Sequence, residues 1–470
     1  MDAARTRVEK DSLGEKEVPV DAYYGVHTVR SLENFHISQK RFQPEWISAI
    51  ALLKHACADA NLGLGLLDRE NADAIKEACD EVIAGRFSGQ FPLDIFQAGS
   101  GTSTNMNVNE VIANRASELL SGSRAKRVVH PNDHVNMGQS TNDIIPSSIR
   151  VASVLLLPSL LDSLQSLEGS LSKKSVEFSD VIKSGRTHLQ DAVPIALGQE
   201  FGAYAAAISK ARLRLELASD FLLALSIGGN AVGTGINTRP EFRSLVLRHL
   251  NKRTGKPFRQ PSSGIEATQF MTDLAGMSFA LVCLSIDIGK IANDLRLLSS
   301  GPKTGLGEIF LPPVEPGSSI MPGKVNPSIC EAVNMACMQA QGNGLAVSNA
   351  AAAGQLELNT HMPVIGYNLL EAMGTLAGAV RALDHKCVQG IAANRERCAW
   401  YFENSMALAT VLNPYIGYDN AASLVKESLR AGKTLKQLVL EKKIMPKEEL
   451  ERLLDPKSLT SPNLTDKGLS

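Results

Sequence analysis

Residues 270–298 read FMTDLAGMSFALVCLSIDIGKIANDLRLL, and the spacing of their apolar positions decides the architecture. Phe270, Leu274, Met277, Leu281, Leu284, Ile288, Ile291, Leu295 and Leu298 step by four and three in alternation. A repeat of about 3.5 residues puts them on one helix face, the seam of a helix packed nearly parallel to its neighbours. At about 1.5 Å per residue the segment predicts a rod of roughly 45 Å. A rod of that length suits a bundle better than a small compact domain.

Two further segments share the pattern. Leu157, Leu160, Leu161, Leu164, Leu167 and Leu171 lie on one face, with Pro158 marking a kink or a start. Leu369, Met373, Leu376, Val380 and Leu383 repeat by four and three again. Residues 199–225 are helical in composition. Aromatic residues are only 5% of the chain, which favours helix over strand. The fold class is therefore mainly α in three domains. Residues 1–141 form an N-terminal domain with more turns, 142–396 a central bundle of long helices, and 397–470 a small helical C-terminal domain. Amphipathic pieces at 421–429 and 447–454 mark that last domain, and its polar tail is expected to fray.

Of 470 residues, 44% are hydrophobic and 21% charged, a globular mix with enough apolar surface for a large core. Lys plus Arg is 48 and Asp plus Glu is 49, a formal net charge of -1. That balance offers no global basic field to nucleic acid or to an anionic membrane. The seven cysteines contain no CxxC pair and read as buried free thiols. The charged start, MDAARTRVEKD, lacks the apolar core of a secretory signal, and no unbroken apolar run of membrane-spanning length is seen. A cytoplasmic location is the expectation.

Three polar clusters stand out. The first, 98–107, reads AGSGTSTNMN; its small residues permit close backbone approach and its hydroxyls and amides offer donors. Composition alone equally describes a solvated loop or cap. The second joins HPNDHVN at 130–136 and QSTND at 139–143 with GRTHLQD at 185–191. His130 and His134 are four apart, but Pro131 argues against a regular helix carrying both, so no metal site is expected. The third, GSSIMPGKVNP at 317–327, leads into a helical stretch, with Asn326 as N-cap and Pro327 at the first helical position. Lys324 then lies beside a helix N-terminus, where free N–H groups favour an anion such as a small carboxylate. The glycines would let this loop open and close.

These clusters, in this order, resemble the aspartase/fumarase superfamily. The resemblance runs from DSLG at 11–14 to about residue 454, and GSSIMPGKVNP is its most specific motif. It implies a homotetramer whose long helices assemble into one central bundle, with active sites where segments of three subunits meet. Within the superfamily, the stretch DAYYGVHTVRSLENF at 21–35, Ser103 of GTS and AGQLELN at 353–359 are similar to the aspartate ammonia-lyase branch. Ser100, HPNDHVNMGQS and Cys330-Glu331-Ala332 are similar to the fumarate hydratase branch, which is the alternative.

The resemblance also implies the chemistry. A proton leaves the carbon beside a carboxylate, and a group leaves the neighbouring carbon in the anti sense. For L-aspartate the products are fumarate and ammonia. Hydrogen-bond donors must stabilise the dianionic aci-carboxylate, and Thr102, Ser140, Thr141 and Ser319 stand at the matching positions. Thr187, Lys324 and Asn326 would hold the other carboxylate. His188 and Asn142 would contact the amino group or an adjacent oxygen. Ser318 is the implied general base, and its hydroxyl must be activated by loop N–H groups and nearby positive charge. The carbanion stage requires no redox cofactor and no pyridoxal; some members of the aspartase branch respond to divalent metal, but no metal-ligand set is seen in this sequence. The implied partners are the small dicarboxylate, ammonia and copies of the chain, with no nucleic acid and no membrane.

Overall fold

The computed structural model describes residues 5–124, 126–455 and 458–462. The chain divides into two compact units, each discontinuous in sequence. One comprises Met1–Leu161, Arg212–Ser285 and Ala336–Ala377; the other comprises Asp162–Ala211, Ile286–Met335 and Gly378–Ser470. Five helices of 25 residues or more contribute residues to both: Thr141–Glu177, Leu197–Phe221, Thr272–Leu298, Ser328–Ala352 and Met362–Lys386. Among the described residues the strands form three two-stranded antiparallel pairs. The mainly α class expected from composition is what the chain adopts.

The heptad positions behave as a seam. Leu274, Met277, Leu281, Leu284, Ile288, Ile291 and Leu295 are all buried, as are Leu369, Met373, Leu376, Val380 and Leu383. Phe270 is the exception, at 53% exposure. The helix starts at Thr272, so Phe270 lies before its first turn with extended backbone, and the neighbouring Met271 is buried instead. Pro158 neither starts nor ends a helix: Thr141–Glu177 runs through both Pro146 and Pro158. Each proline removes one ladder bond, at about 3 kcal/mol or more. The buried run Leu157, Leu160, Leu164, Leu167 and Leu171 supplies the packing that offsets this.

In the first unit, Glu110 of the helix Thr102–Ser121 caps the short helix Val26–Asn34 from outside. Its carboxylate accepts from the N–H groups of Gly25, His27 and Thr28 and from Thr28 Oγ1. A carboxylate over three otherwise orphaned N–H groups is what a helix N-terminus selects. The second unit holds the hairpin Ile182–Thr187/Gln190–Ala196. It also holds a separate apolar cluster of Leu408, Leu412, Leu424, Leu435, Leu438, Val439 and Leu450. The helices Tyr418–Ala431 and Lys447–Leu453 contribute Leu424 and Leu450 to this cluster and carry the two amphipathic pieces seen in the sequence, the second helix ending one residue earlier, at Leu453. Of the polar tail, Ser458–Thr460 is a 3-10 turn, and residues 463–470 lie outside the described residues.

All seven cysteines are free, and Cys283 is the one that is exposed. Two helices, Thr141–Glu177 and Thr272–Leu298, do have the length and hydropathy of a membrane span, although polar residues interrupt the apolar run of each. Their most apolar windows are 72% and 56% buried inside the chain, the behaviour of core helices.

Candidate active site

The first cluster is largely the start of a helix. Thr102–Ser121 begins inside it, and Ser103, Thr104, Asn105 and Asn107 are buried. Composition could not separate this from a solvated loop, because small polar residues serve both. Thr102 is half-buried, with its Oγ1 3.4 Å from Ser100 Oγ. Ser103 is fully buried, and its Oγ meets no partner.

Ser140, Thr141 and Asn142 open the helix Thr141–Glu177 in the same unit. Ser140 Oγ accepts from the Asn142 N–H at 3.2 Å, and the Ser140 N–H donates to Asp143 Oδ1 at 3.0 Å. Asn142 Nδ2 donates to the Ala231 carbonyl at 2.9 Å. Asn105 Nδ2 donates to Thr141 Oγ1 at 3.1 Å, so the threonine O–H is left to donate elsewhere. Thr102, Ser140, Thr141 and Asn142 thus share one unit and one polar neighbourhood, all half-buried.

Behind them stands a lysine that the sequence reading passed over. Lys54 is fully buried and donates to Asn136 Oδ1 and Gln139 Oε1, both at 2.8 Å. Asn105 and Asn109 donate to the same Asn136 oxygen. Burial pushes the Lys54 ammonium down to about 7 and the Asp143 carboxyl up to about 7. A single lysine inside the apolar run ALLKHACA was the available signal. Lys54→Met should cost about 1–3 kcal/mol, because the buried Gln139 Oε1 loses its donor while Asn136 Oδ1 keeps Asn105 and Asn109. Thermal unfolding checks this: an unchanged midpoint would mean that the ammonium is dispensable.

His130 and His134 have structural work. The His130 N–H donates to His134 Nδ1 at 3.0 Å, and His130 Nδ1 accepts from the Asn132 and Asp133 N–H groups. The five residues Pro131–Val135 form a wide helical turn.

Thr187 and His188 are in the second unit, at the hairpin tip. His188 and Leu189 take φ of 55° and 59°, so this two-residue turn is of the type that favours Asn-Gly. Both side chains are exposed, Leu189 at 70%. Non-glycine residues held in the left-handed region cost of order 1–3 kcal/mol each, and such strain clusters at functional sites.

Ser318, Ser319, Lys324 and Asn326 lie on the loop 311–327 of that unit. Ser318 Oγ accepts two backbone N–H groups of its own loop, from Ile320 at 3.2 Å and Met321 at 3.1 Å. Two aligned donors favour negative charge on that oxygen. The Gly317 N–H donates to the Lys324 carbonyl at 3.1 Å, and Asn326 Nδ2 donates to the Gly317 carbonyl at 2.6 Å, pinching the loop at its neck. A Cβ on Gly317 would collide with the Lys324 carbonyl, so only glycine fits. The loop lines an open hollow of about 550 Å³ bordered by Glu315, Ser318, Met321 and Lys324. Ser319 and Lys324 are exposed. One detail departs from expectation. The helix begins at Ser328, and the Glu331 N–H bonds the Pro327 carbonyl, so Pro327 and not Asn326 is the cap residue. The Asn326 side chain is occupied by the neck instead.

Comparison with known proteins identifies the family. Residues 14–342 match the family described as lyase, and residues 408–461 match the fumarase C C-terminus. An aspartate ammonia-lyase of Bacillus sp is 45% identical over 97% of this chain and 98% of its own length. A class II fumarate hydratase of Halobacterium salinarum is 49% identical over 97% of each chain. The crystal structure of a class II fumarase from Schistosoma mansoni superposes with a TM-score of 0.95 at 39% identity, covering 98% of this chain and all of the other. With motifs, fold and near full-length similarity in agreement, the chain belongs to the lyase family of aspartate ammonia-lyases and class II fumarate hydratases, the aspartase/fumarase superfamily, and is a lyase.

Proposed function

We propose that the chain is an aspartate ammonia-lyase, interconverting L-aspartate with fumarate and ammonia by anti elimination through an aci-carboxylate. The observation that carries the mechanism is Ser318, whose Oγ already receives two backbone N–H groups from a glycine-bearing loop. In this reading Ser318 takes the proton from the carbon beside the carboxylate. The charge then moves onto the carboxylate oxygens, where Thr102, Ser140, Thr141 and Ser319 donate to it. Thr141 suits this role because Asn105 fills its acceptor side and leaves its O–H free. Thr187, Lys324 and the Asn326 amide N–H that the Gly317 carbonyl does not use hold the second carboxylate, with Lys324 supplying the positive charge. Asn142 retains its carboxamide oxygen for the amino group, since its Nδ2 is spent on Ala231. His188, at the strained tip, assists there.

The choice of aspartate rests on residues 21–35 and on Ser103, which resemble the aspartase branch. A second reading, fumarate hydratase, has support in Ser100, in HPNDHVNMGQS and in the 49% identical relative. Incubation with fumarate, with and without ammonium, separates the two. Aspartate formed only with ammonium supports the proposal, and malate formed in both overturns it. Fumarate absorbance rising from L-aspartate, with L-malate run alongside, gives the reverse check.

Homotetrameric assembly belongs to the same proposal. Leu213, Leu217, Phe279, Ile286, Met338 and Leu345 on the long helices are more than half exposed in the single chain. Apolar residues repeated along helix faces in this way support an association surface.

A further inference from the structure

Outside the residues discussed so far, the most unusual group in the second unit is Glu308, a carboxylate with 0% side-chain exposure. Its Oε2 lies 2.7 Å from Lys183 Nζ, and its Oε1 accepts from an Arg186 guanidinium N–H at 2.9 Å. Lys183 also donates to Glu200 at 3.1 Å, and Arg186 lies over the Tyr401 ring at 4.8 Å. In a regular strand, residues three apart point to opposite faces. Here the pairing slips between Ser184 and Gly185, and the bulge lets both cations reach one anion. A Cβ on Gly185 would stand 2.6 Å from the Val193 carbonyl, so the bulge requires glycine.

The backbone of Glu308 is tied down as well. Its N–H donates to the Leu298 carbonyl, and its carbonyl accepts from the Asn394 N–H, both at 2.8 Å. Ile309–Phe310 then pairs with Ala392–Ala393, and the loop 311–327 follows. Glu308 therefore sits at the root of the loop that carries Ser318, while its carboxylate grips the strand that ends in Thr187 and leads into His188. An ion cluster buried this deeply is a poor stability device, because desolvation offsets its attraction and apolar residues of similar volume often do as well. It is a good geometric one, because displacing any partner leaves a buried charge unpaired.

We infer that Glu308 is a positioning residue: through Lys183 and Arg186 it fixes the hairpin tip Thr187–His188 to the same anchor as the root of the Ser318 loop, so that each segment is presented correctly to the site it serves. This rests on the proposed placement of Thr187 and Ser318 at the substrate. The role explains why a strained, bulged hairpin is pinned by a buried carboxylate and not by apolar packing.

The test uses the full-length protein and whichever of L-aspartate and L-malate the parent converts. Glu308→Gln should keep the helical circular-dichroism spectrum and lose about 100-fold in kcat/KM, the scale of a small misplacement of reacting groups. Thr187→Ala alone should raise KM about tenfold, the loss of one hydrogen bond to a charged group. Combining Thr187→Ala with Glu308→Gln should cost less than about threefold more than Glu308→Gln alone, because Thr187 is already out of place. Combining Thr102→Ala with Glu308→Gln should multiply the two losses. Parent-like kinetics in Glu308→Gln, or multiplication of the Thr187 and Glu308 losses, overturns the inference. Parent-like kinetics in Thr187→Ala overturns the placement of Thr187 at the substrate, and the inference with it. If Glu308→Gln does not fold, Arg186→Met carries the same double-variant test, since Lys183 stays on the carboxylate.

Discussion

Ser318→Ala should lose turnover by at least about 10³-fold while leaving dicarboxylate binding within a small factor of the parent. The proton to be removed is on carbon and weakly acidic, so the rate depends on a base held at the right place. An alanine at this position has no oxygen to accept it. The fold should tolerate the change. Ser318 is only partly buried on a surface loop, and the Ile320 and Met321 N–H groups that it satisfies lie in exposed residues where water can replace it. The neck formed by Gly317, Lys324 and Asn326 uses no Ser318 atom. The measurement is the initial rate of fumarate formation from L-aspartate, with inhibitor binding followed separately by calorimetry. Deamination at the parent rate would remove Ser318 from the base role and with it the central step of the proposed mechanism.

Lys324→Met should act on binding, not on the chemical step. Methionine keeps much of the apolar stem and removes the ammonium. A charge-assisted hydrogen bond to a carboxylate contributes about 1.5–3 kcal/mol, so KM should rise by roughly 10–100-fold with little change in kcat. The remaining donors, Thr187 and Asn326, are neutral and cannot replace the charge. Substrate affinity in the variant should also lose part of its dependence on ionic strength, since one exposed attractive charge is gone. Steady-state kinetics at two salt concentrations would show both effects. Parent values of KM and kcat would place Lys324 outside the site.

Several features could be read from neighbouring residues alone. The alternating spacing of Leu274 to Leu295 reports a helix face because the period of a helix is a local property of the chain. The loop 311–327 declared itself through glycines, prolines and serines whose backbone preferences are equally local. The polar clusters named Thr102, Thr141, Thr187 and Ser318, and the family similarity supports the lyase to which such clusters belong.

Other features depend on residues that meet only after folding. Lys54 needs Asn136 and Gln139, more than 80 positions away, before its buried charge makes sense. Glu308 looks like one polar residue before an apolar strand until Lys183 and Arg186 arrive across more than 120 positions. Phe270 fitted the repeat, yet the helix start at Thr272 left it exposed, because a periodic pattern does not say where its ends lie. By itself the sequence determined the helical class, the long seam and the identity of the hydroxyl-rich and loop motifs, since these follow from composition and short-range periodicity. Tertiary structure alone decided the left-handed turn at His188 and Leu189, the bulge at Ser184 and Gly185, and which buried charges share a carboxylate. The reason is that desolvation and hydrogen-bond geometry are set by whatever the fold brings within about 3 Å, and no local pattern encodes that neighbour.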